Sequence, residues 1–173
     1  MDYLKDKTVY LCGPVHAVSD DGAGWRDTIT PDLEKLGIKV LDPCKKTTRG
    51  VMDEIGEDKK RFREMIKAED WQSVKEQFWP IVRHDLRCVD HCDFMIVNYD
   101  TSVPMVGTIH EMVVAQSQKK VVLLKYDYKQ LDDFNPWLAT FIKAHHFFSE
   151  WVGLFAYLDS VNQGVFDTSL WVI

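Results

Sequence analysis

Short apolar runs alternate along the chain with longer stretches in which apolar residues recur every three or four positions. Residues 7–13, KTVYLCG, form the first run and end on a glycine, which predicts a buried strand. Trp25, Ile29, Leu33 and Leu36 follow at helical spacing, and Gly37 marks the stop of a helix over 25–36. Pro31 falls inside it, where the missing N–H predicts a kink or a second helix start. Residues 38–42, IKVLD, predict a second strand closed by Pro43. Residues 80–91 predict a helix, DFMIVNYD (93–100) a strongly apolar third strand, 107–119 a helix, and KVVLLKY (120–126) a fourth strand. From Asn135 an aromatic helix is expected to run through about Leu158, followed by a short tail.

Strands that alternate with helices imply an α/β fold, a Rossmann- or flavodoxin-like parallel sheet with helices on both faces. The 173 residues fit one domain, 1–173. Residues 44–75 are charged and irregular, and predict an insert with one amphipathic helix near 57–68, either a solvated excursion or a lid. Trp137, Phe141, Phe147, Phe148, Trp151, Phe155 and Tyr157 exceed what one edge helix normally buries, so residues 135–173 are expected at a subunit interface, in a homodimer or higher homo-oligomer.

The net charge of -6, with no long basic run, argues against a nucleic-acid duplex as partner and leaves room for a small anionic ligand. No signal peptide pattern leads the chain and no apolar run reaches membrane-spanning length, so the expectation is a cytoplasmic protein without membrane contact. Cys12, Cys44, Cys88 and Cys92 lack the second ligand pair that a zinc site needs. They read as small buried residues in a reduced compartment, and no metal is expected.

In open parallel sheets ligands bind at the carboxyl ends of the strands, and three such ends stand out. One is YLCGPV, where Gly13, beside Pro14, lets a ligand approach the backbone. The others are NYDTSVPMVGTIHE and the segment after Lys125. Gly107 and Thr108 are expected to open the second of these helices, with Glu111 in its first turn. Locally, Thr108 and Glu111 match an ordinary capping box. Asp85, Asp90 and Asp93 each have a plain reading as helix-face or turn charges. His110 faces away from Glu111, His16 sits in a loop that can touch ligand, and His145 and His146 lie among aromatics that pack.

The order YLCGP, a Trp-Arg helix, VLDP, HDLRCVDHCDFMIVNYD and GTIHEMVVA resembles the nucleoside 2-deoxyribosyltransferase family, which includes relatives that hydrolyse nucleoside 5′-monophosphates. The resemblance covers about residues 7–137, least firmly at the 44–75 insert. It implies that Glu111, in G-x-x-x-E, is the nucleophile, that Asp85 assists the leaving base, and that Tyr10 positions the nucleophile. It further implies that Asn135, in DDFNPW, reaches a site from a neighbouring subunit. One departure stands six residues before Glu111. The transferases carry an aspartate there and the monophosphate hydrolases tend to have a serine, whereas this chain has Met105. Ser102 or Thr108 is left to meet the 5′ end of the sugar.

These residue types suit N-glycosidic chemistry. A carboxylate beneath the anomeric carbon can stabilise or trap an oxocarbenium-like state, and an aspartic acid can protonate the departing base. Trp25 or Trp79 would stack on that base, with Asp93 a further binding candidate, and no cofactor is required. The substrates expected are a nucleoside or nucleotide and a free base. Transfer of 2-deoxyribose between bases, hydrolysis of a nucleoside 5′-monophosphate, and a nucleotide-binding sensor without catalysis are the three readings that follow.

Overall fold

The computed structural model describes residues 2–15, 17–45, 56–166 and 171. In chain order the elements are β1 (Thr8–Cys12), α1 (Ala23–Lys35), β2 (Lys39–Leu41), α2 (Gly56–Lys67), α3 (Trp71–His91), β3 (Phe94–Tyr99), α4 (Val106–Ser117), β4 (Val121–Tyr126), β5 (Phe147–Phe148) and α5 (Trp151–Asn162). The strands lie in the order β2-β1-β3-β4-β5, and each neighbouring pair is parallel. This is the doubly covered parallel sheet expected of the sequence.

The period-two alternation of the central strands divides the core into two layers. Val9 and Leu11, Phe94 and Ile96, and Val121 and Leu123 face α1 and α5, where Ile29, Leu33, Leu154, Leu158 and Val161 close the layer. Tyr10 and Cys12, Met95, Val97 and Tyr99, and Val122 and Leu124 face α3 and α4, meeting Val89, Met112 and Ala115. Both faces of the central strands are thus buried, which is why β1, β3 and β4 read as continuous apolar runs. After β1 the chain crosses over one face to β2, and the crossover into β3 runs over the other. The carboxyl ends of β1 and β3 therefore border the crevice at the switch in strand order.

Several expectations change. The helix predicted at 80–91 begins at Trp71 and runs unbroken through Pro80, because the Asp70 side chain caps it by accepting from the Ser73 amide at 3.1 Å. Residues 71–75 accordingly belong to α3 and not to the charged insert. Pro80 and Pro31 are both tolerated inside helices. Each lies on an exposed face together with the residue four positions earlier, so water can satisfy the carbonyl that loses its N–H. Within the insert, the helix expected near 57–68 is α2, and residues 46–55 lie outside the described residues.

The single aromatic helix expected from Asn135 to Leu158 does not form. In its place stand three short 3-10 turns, the strand β5 and then α5. The Asn135 side-chain Oδ1 caps one turn by accepting from the Trp137 amide (2.9 Å), and Phe147 and Phe148 pair with Leu124 and Lys125 at the edge of the sheet. The aromatic surplus is largely absorbed within the chain. Phe134 packs against Tyr99, Tyr126 and Phe147, while Tyr157 collects His146, Phe148, Phe166 and Trp171. Of the seven aromatics that suggested an interface, Trp137 alone stands among the exposed large hydrophobic residues, at 72 %. No described helix is long and apolar enough to cross a membrane.

At the centre of that cluster Trp171 donates its indole N–H to the Tyr157 hydroxyl at 3.2 Å, which leaves the phenolic proton for His146 Nε2 at 3.0 Å. His146 is 3 % exposed, and burial lowers its pKa from 6.5 to about 4. In this window the unfolded chain binds a proton that the folded chain refuses. Stability is therefore expected to fall as pH drops from 6.5 towards about 4 and to be level below that as far as this group is concerned. Thermal unfolding of the wild type and of His146→Gln across this range checks it: the variant should lose part of the pH dependence, and parallel curves would contradict the assignment.

Candidate active site

Because side chains on a strand alternate, Tyr10 and Cys12 reach the same side of the sheet, towards α4. Glu111 lies in the second turn of α4, and its carboxylate meets both. The Tyr10 hydroxyl donates to Oε1 at 3.1 Å, and the Cys12 thiol donates to Oε2 at 2.8 Å. Burial pushes the Tyr10 phenol well above its ordinary pKa, and the negative charges of Glu111 and Asp85 push it further. Burial and Glu111 do the same to the Cys12 thiol. Both groups therefore remain protonated and able to donate.

The capping-box reading of this segment is overturned. α4 opens on Val106 with Met105 at the N-cap position and no side-chain cap, and its first turn holds no acidic residue. Thr108 is buried inside the first turn, and its carbonyl lies 3.8 Å from Cys12 Sγ. Glu111 thus spends its carboxylate on β1, across the sheet, and not on the helix end.

Asp85 is 6 % exposed on the face of α3 that carries Ile81 and Val89 inward. Its Oδ1 lies 2.9 Å from His84 Nδ1, and its charge acts on the Tyr10 phenol. Tyr10 therefore lies within the field of two carboxylates from two different helices. Tyr10, Asp85 and Glu111, to which the resemblance assigned roles, are thus brought near one another.

The loop after β1 is held from below by Arg26, a fully buried cation on α1. It donates to the carbonyls of Leu11 at 3.2 Å, Gly22 at 2.6 Å and Gly13 at 3.1 Å, and lies 3.6 Å from Asp42, whose side chain is 5 % exposed. Glycine is demanded at Gly22 twice over. Its φ is 72°, and a Cβ there would lie 2.2 Å from the Pro14 carbonyl oxygen and 2.5 Å from Arg26 Nη1. Gly13 is close to the same limit, since a Cβ would sit 3.0 Å from Trp25 and 3.2 Å from the Asn98 carbonyl. The groups that approach Gly13 are thus the chain's own Trp25 and Asn98, and Pro14 lies buried beside it.

Other expected site residues fare differently. Trp25 stacks on Trp151 with centroids 5.6 Å apart and has the Arg26 guanidinium carbon 4.5 Å from its ring centre, so its ring is already engaged within the chain. Trp79 is 55 % exposed on α3. Met105 is buried in the layer beneath α4, and its sulfur accepts the Asp100 amide at 3.1 Å, so it does not reach outward to a ligand. Thr108 is likewise turned into the protein, while the Ser102 hydroxyl is taken by Asp100 at 2.6 Å. Asp93 lies at the wrong end of the sheet. Its carboxylate accepts the Thr8 amide at 2.6 Å where β1 and β3 begin, and it acts as a strand-start bracket. Gly107 is exposed, and a side chain there would meet nothing within 4 Å. Asn135 is exposed and caps its turn. His16 lies outside the described residues.

Cys12, Arg26 and His84 carry contacts at this site that the sequence reading did not assign. The signal for Cys12 was present, two residues from Tyr10 on one strand face. Arg26 and His84 stood inside quoted motifs but without a role, because burial of an arginine and the rotamer of a helix histidine are set by tertiary packing. Among the described residues no group of three His, Cys, Asp or Glu is placed to hold a metal ion. Replacing Arg26 with Met removes three donated hydrogen bonds and the buried cation beside Asp42, whose other cation among the described residues is the exposed Lys45, 3.7 Å away. A loss of about 3 kcal/mol or more is expected in denaturant unfolding, and a change below about 1 kcal/mol would contradict the bracing role.

Comparison with known proteins adds the following. The model of a family described as nucleoside 2-deoxyribosyltransferase matches residues 9–147. No curated protein sequence matches the chain. Among solved structures, a 2-deoxyribosyltransferase from Leishmania mexicana superposes with a TM-score of 0.59 at 16 % identity, covering 88 % of this chain and 97 % of that one. The 2-deoxyribosyltransferase from the psychrotolerant bacterium Bacillus psychrosaccharolyticus gives 0.53 at 16 % identity, covering 87 % and 95 %. A CMP N-glycosidase from Clostridium botulinum gives 0.44 at 16 % identity, covering 88 % and 99 %, too loose a match for its activity to weigh here. At these identities the structural likeness establishes the fold.

Proposed function

Because the chain belongs to the nucleoside 2-deoxyribosyltransferase family, a family of enzymes acting on N-glycosidic bonds by transfer or hydrolysis, we propose that it transfers 2-deoxyribose between bases with Glu111 as the nucleophile. One observation carries the reading: the Glu111 carboxylate is held across the sheet by Tyr10 and Cys12, with the charge of Asp85 acting on the same phenol. A merely capping or solvated glutamate has no reason for this arrangement.

In the first half-reaction an oxygen of Glu111 attacks C1′ of the deoxyribose while the bond from C1′ to the base nitrogen breaks. Asp85, a carboxylate that has first taken up a proton from solvent, gives that proton to the departing base, which thus leaves neutral. In the second half-reaction the nitrogen of an incoming base attacks C1′, the ester bond to Glu111 breaks, and the incoming base returns a proton to Asp85. Water in place of the second base gives the hydrolytic outcome. Tyr10 orients Glu111 and, as a protonated phenol, supports the carboxylate when it is released again. Exposed Gly107 leaves room over the start of α4. Met105, turned inward, supplies no contact to the 5′ end of the sugar, so other groups must meet it. Asn135, exposed on its turn, is a candidate to complete a neighbouring copy's site in a homo-oligomer.

Incubation with a deoxynucleoside and a different free base, repeated with nucleoside 5′-monophosphates, tests the reading. The exchanged nucleoside is the expected product. Release of base without exchange makes the protein a hydrolase, and no base release from any member of the panel contradicts N-glycosidic chemistry. Glu111→Ala should lower the rate by several orders of magnitude. Asp85→Asn should lower it about 10²- to 10⁴-fold, the range for a lost general acid. Full activity in either variant would remove that residue from the mechanism.

A further inference from the structure

The thiol of Cys12 is used in a way that strand packing alone does not require. A buried cysteine on an interior strand ordinarily serves as a small apolar side chain. Here the sulfur lies 2.8 Å from Glu111 Oε2, a distance ordinary for an O–H donor and short for the larger sulfur atom. A second acceptor among the described residues, the Thr108 carbonyl, is a full ångström further away at 3.8 Å. The single thiol proton therefore goes to the carboxylate. Each oxygen of Glu111 then has its own donor from β1, the Tyr10 phenol on one and the Cys12 thiol on the other.

We propose that Cys12 is a second positioning residue for the N-glycosidic reaction, holding Glu111 by its Oε2 in the orientation from which it meets the anomeric carbon. The proposal rests on the reading of Glu111 as nucleophile. Two donors spaced two residues apart on a rigid central strand address both oxygens of the carboxylate and so act on the orientation of its plane, which one donor on one oxygen does not. An S–H is also a weaker donor than an O–H. It can orient an oxygen while withdrawing less of the electron density needed for attack. The thiol does not leave its protonated state to do this, since burial and the neighbouring carboxylate both hold it above the ordinary range. No covalent chemistry at sulfur is involved.

The role separates experimentally from plain packing. Cys12→Ala removes the donor, and Cys12→Ser restores one at the same place with a slightly smaller atom. In a base-release assay Cys12→Ala is expected to lose about tenfold in kcat, in keeping with the loss of one hydrogen bond to a charged group, with a smaller change in KM. Cys12→Ser should recover most of that loss. A donor lost from a carboxylate raises its pKa, so the acidic limb of the kcat/KM profile should move to higher pH in Cys12→Ala and return in Cys12→Ser. Independently of turnover, the infrared S–H stretching band assigned by its loss in Cys12→Ala should shift in Glu111→Ala. Wild-type kcat and an unmoved acidic limb in Cys12→Ala would overturn the proposal. So would an unmoved S–H band, or a loss that serine does not repair and that leaves the limb in place. Base release undiminished in Glu111→Ala would remove the nucleophile reading and this proposal with it, a result distinguishable from the others because it appears with Cys12 intact.

Discussion

The hydrogen bonds from β1 to the carboxylate of Glu111 tie the arrangement together. They join a strand at the centre of the sheet to the helix that follows β3, across the point where the strand order reverses. The two donors are available because Tyr10 and Cys12 share one face of β1, while Val9 and Leu11 on the other face bury themselves under α1 and α5. A one-residue slip of β1 would exchange these faces, placing apolar side chains against Glu111 and polar ones in the opposite core layer. The pairing of Val9, Tyr10, Leu11 and Cys12 with Phe94, Met95, Ile96 and Val97 fixes the register, and with it the position of both donors.

What stands above those donors is set by a different force. The loop after β1 carries carbonyls that point inward, and a buried carbonyl without a partner is costly. Arg26 answers two of them, at Gly13 and Gly22, together with the Leu11 carbonyl of β1, and is compensated in turn by Asp42 just after β2. This accounts for the glycines that flank it. Gly22 yields space for the guanidinium and adopts a positive φ, and Gly13 lets β1 end against Trp25 and Asn98. Burying a charge so close to the candidate site stabilises a single loop conformation, which is what a preorganised site requires.

Much of this was legible from pattern alone. The apolar runs at 7–13, 93–100 and 120–126 gave three parallel strands because strands buried on both faces have no polar alternation to hide them. Tyr10, Asp85 and Glu111 were legible as a proposed site only through ordered motifs. Local sequence favoured a helix cap at Glu111, and that reading failed because α4 begins at Val106, which moves Glu111 from the first turn to the second and aims it at β1. Asp93 shows the converse: it sits in a motif-rich segment, yet the register puts it at the amino end of the sheet, bonded to Thr8. The segment after Asn135 was misread because its aromatics have no periodicity of their own. They are placed by long-range partners, Phe147 against β4 and Tyr157 under Trp171.

The central claim is that a glycosyl-enzyme ester forms on Glu111. Incubation with a 2-fluoro-2-deoxy nucleoside, whose fluorine slows the breakdown of such an ester, followed by intact-mass measurement and peptide mapping, tests it most directly. The account predicts one added deoxyfluororibosyl group per chain, mapped to Glu111 and absent from Glu111→Ala. An adduct on any other residue, or an unmodified chain from a preparation that releases base from the same nucleoside, would contradict it.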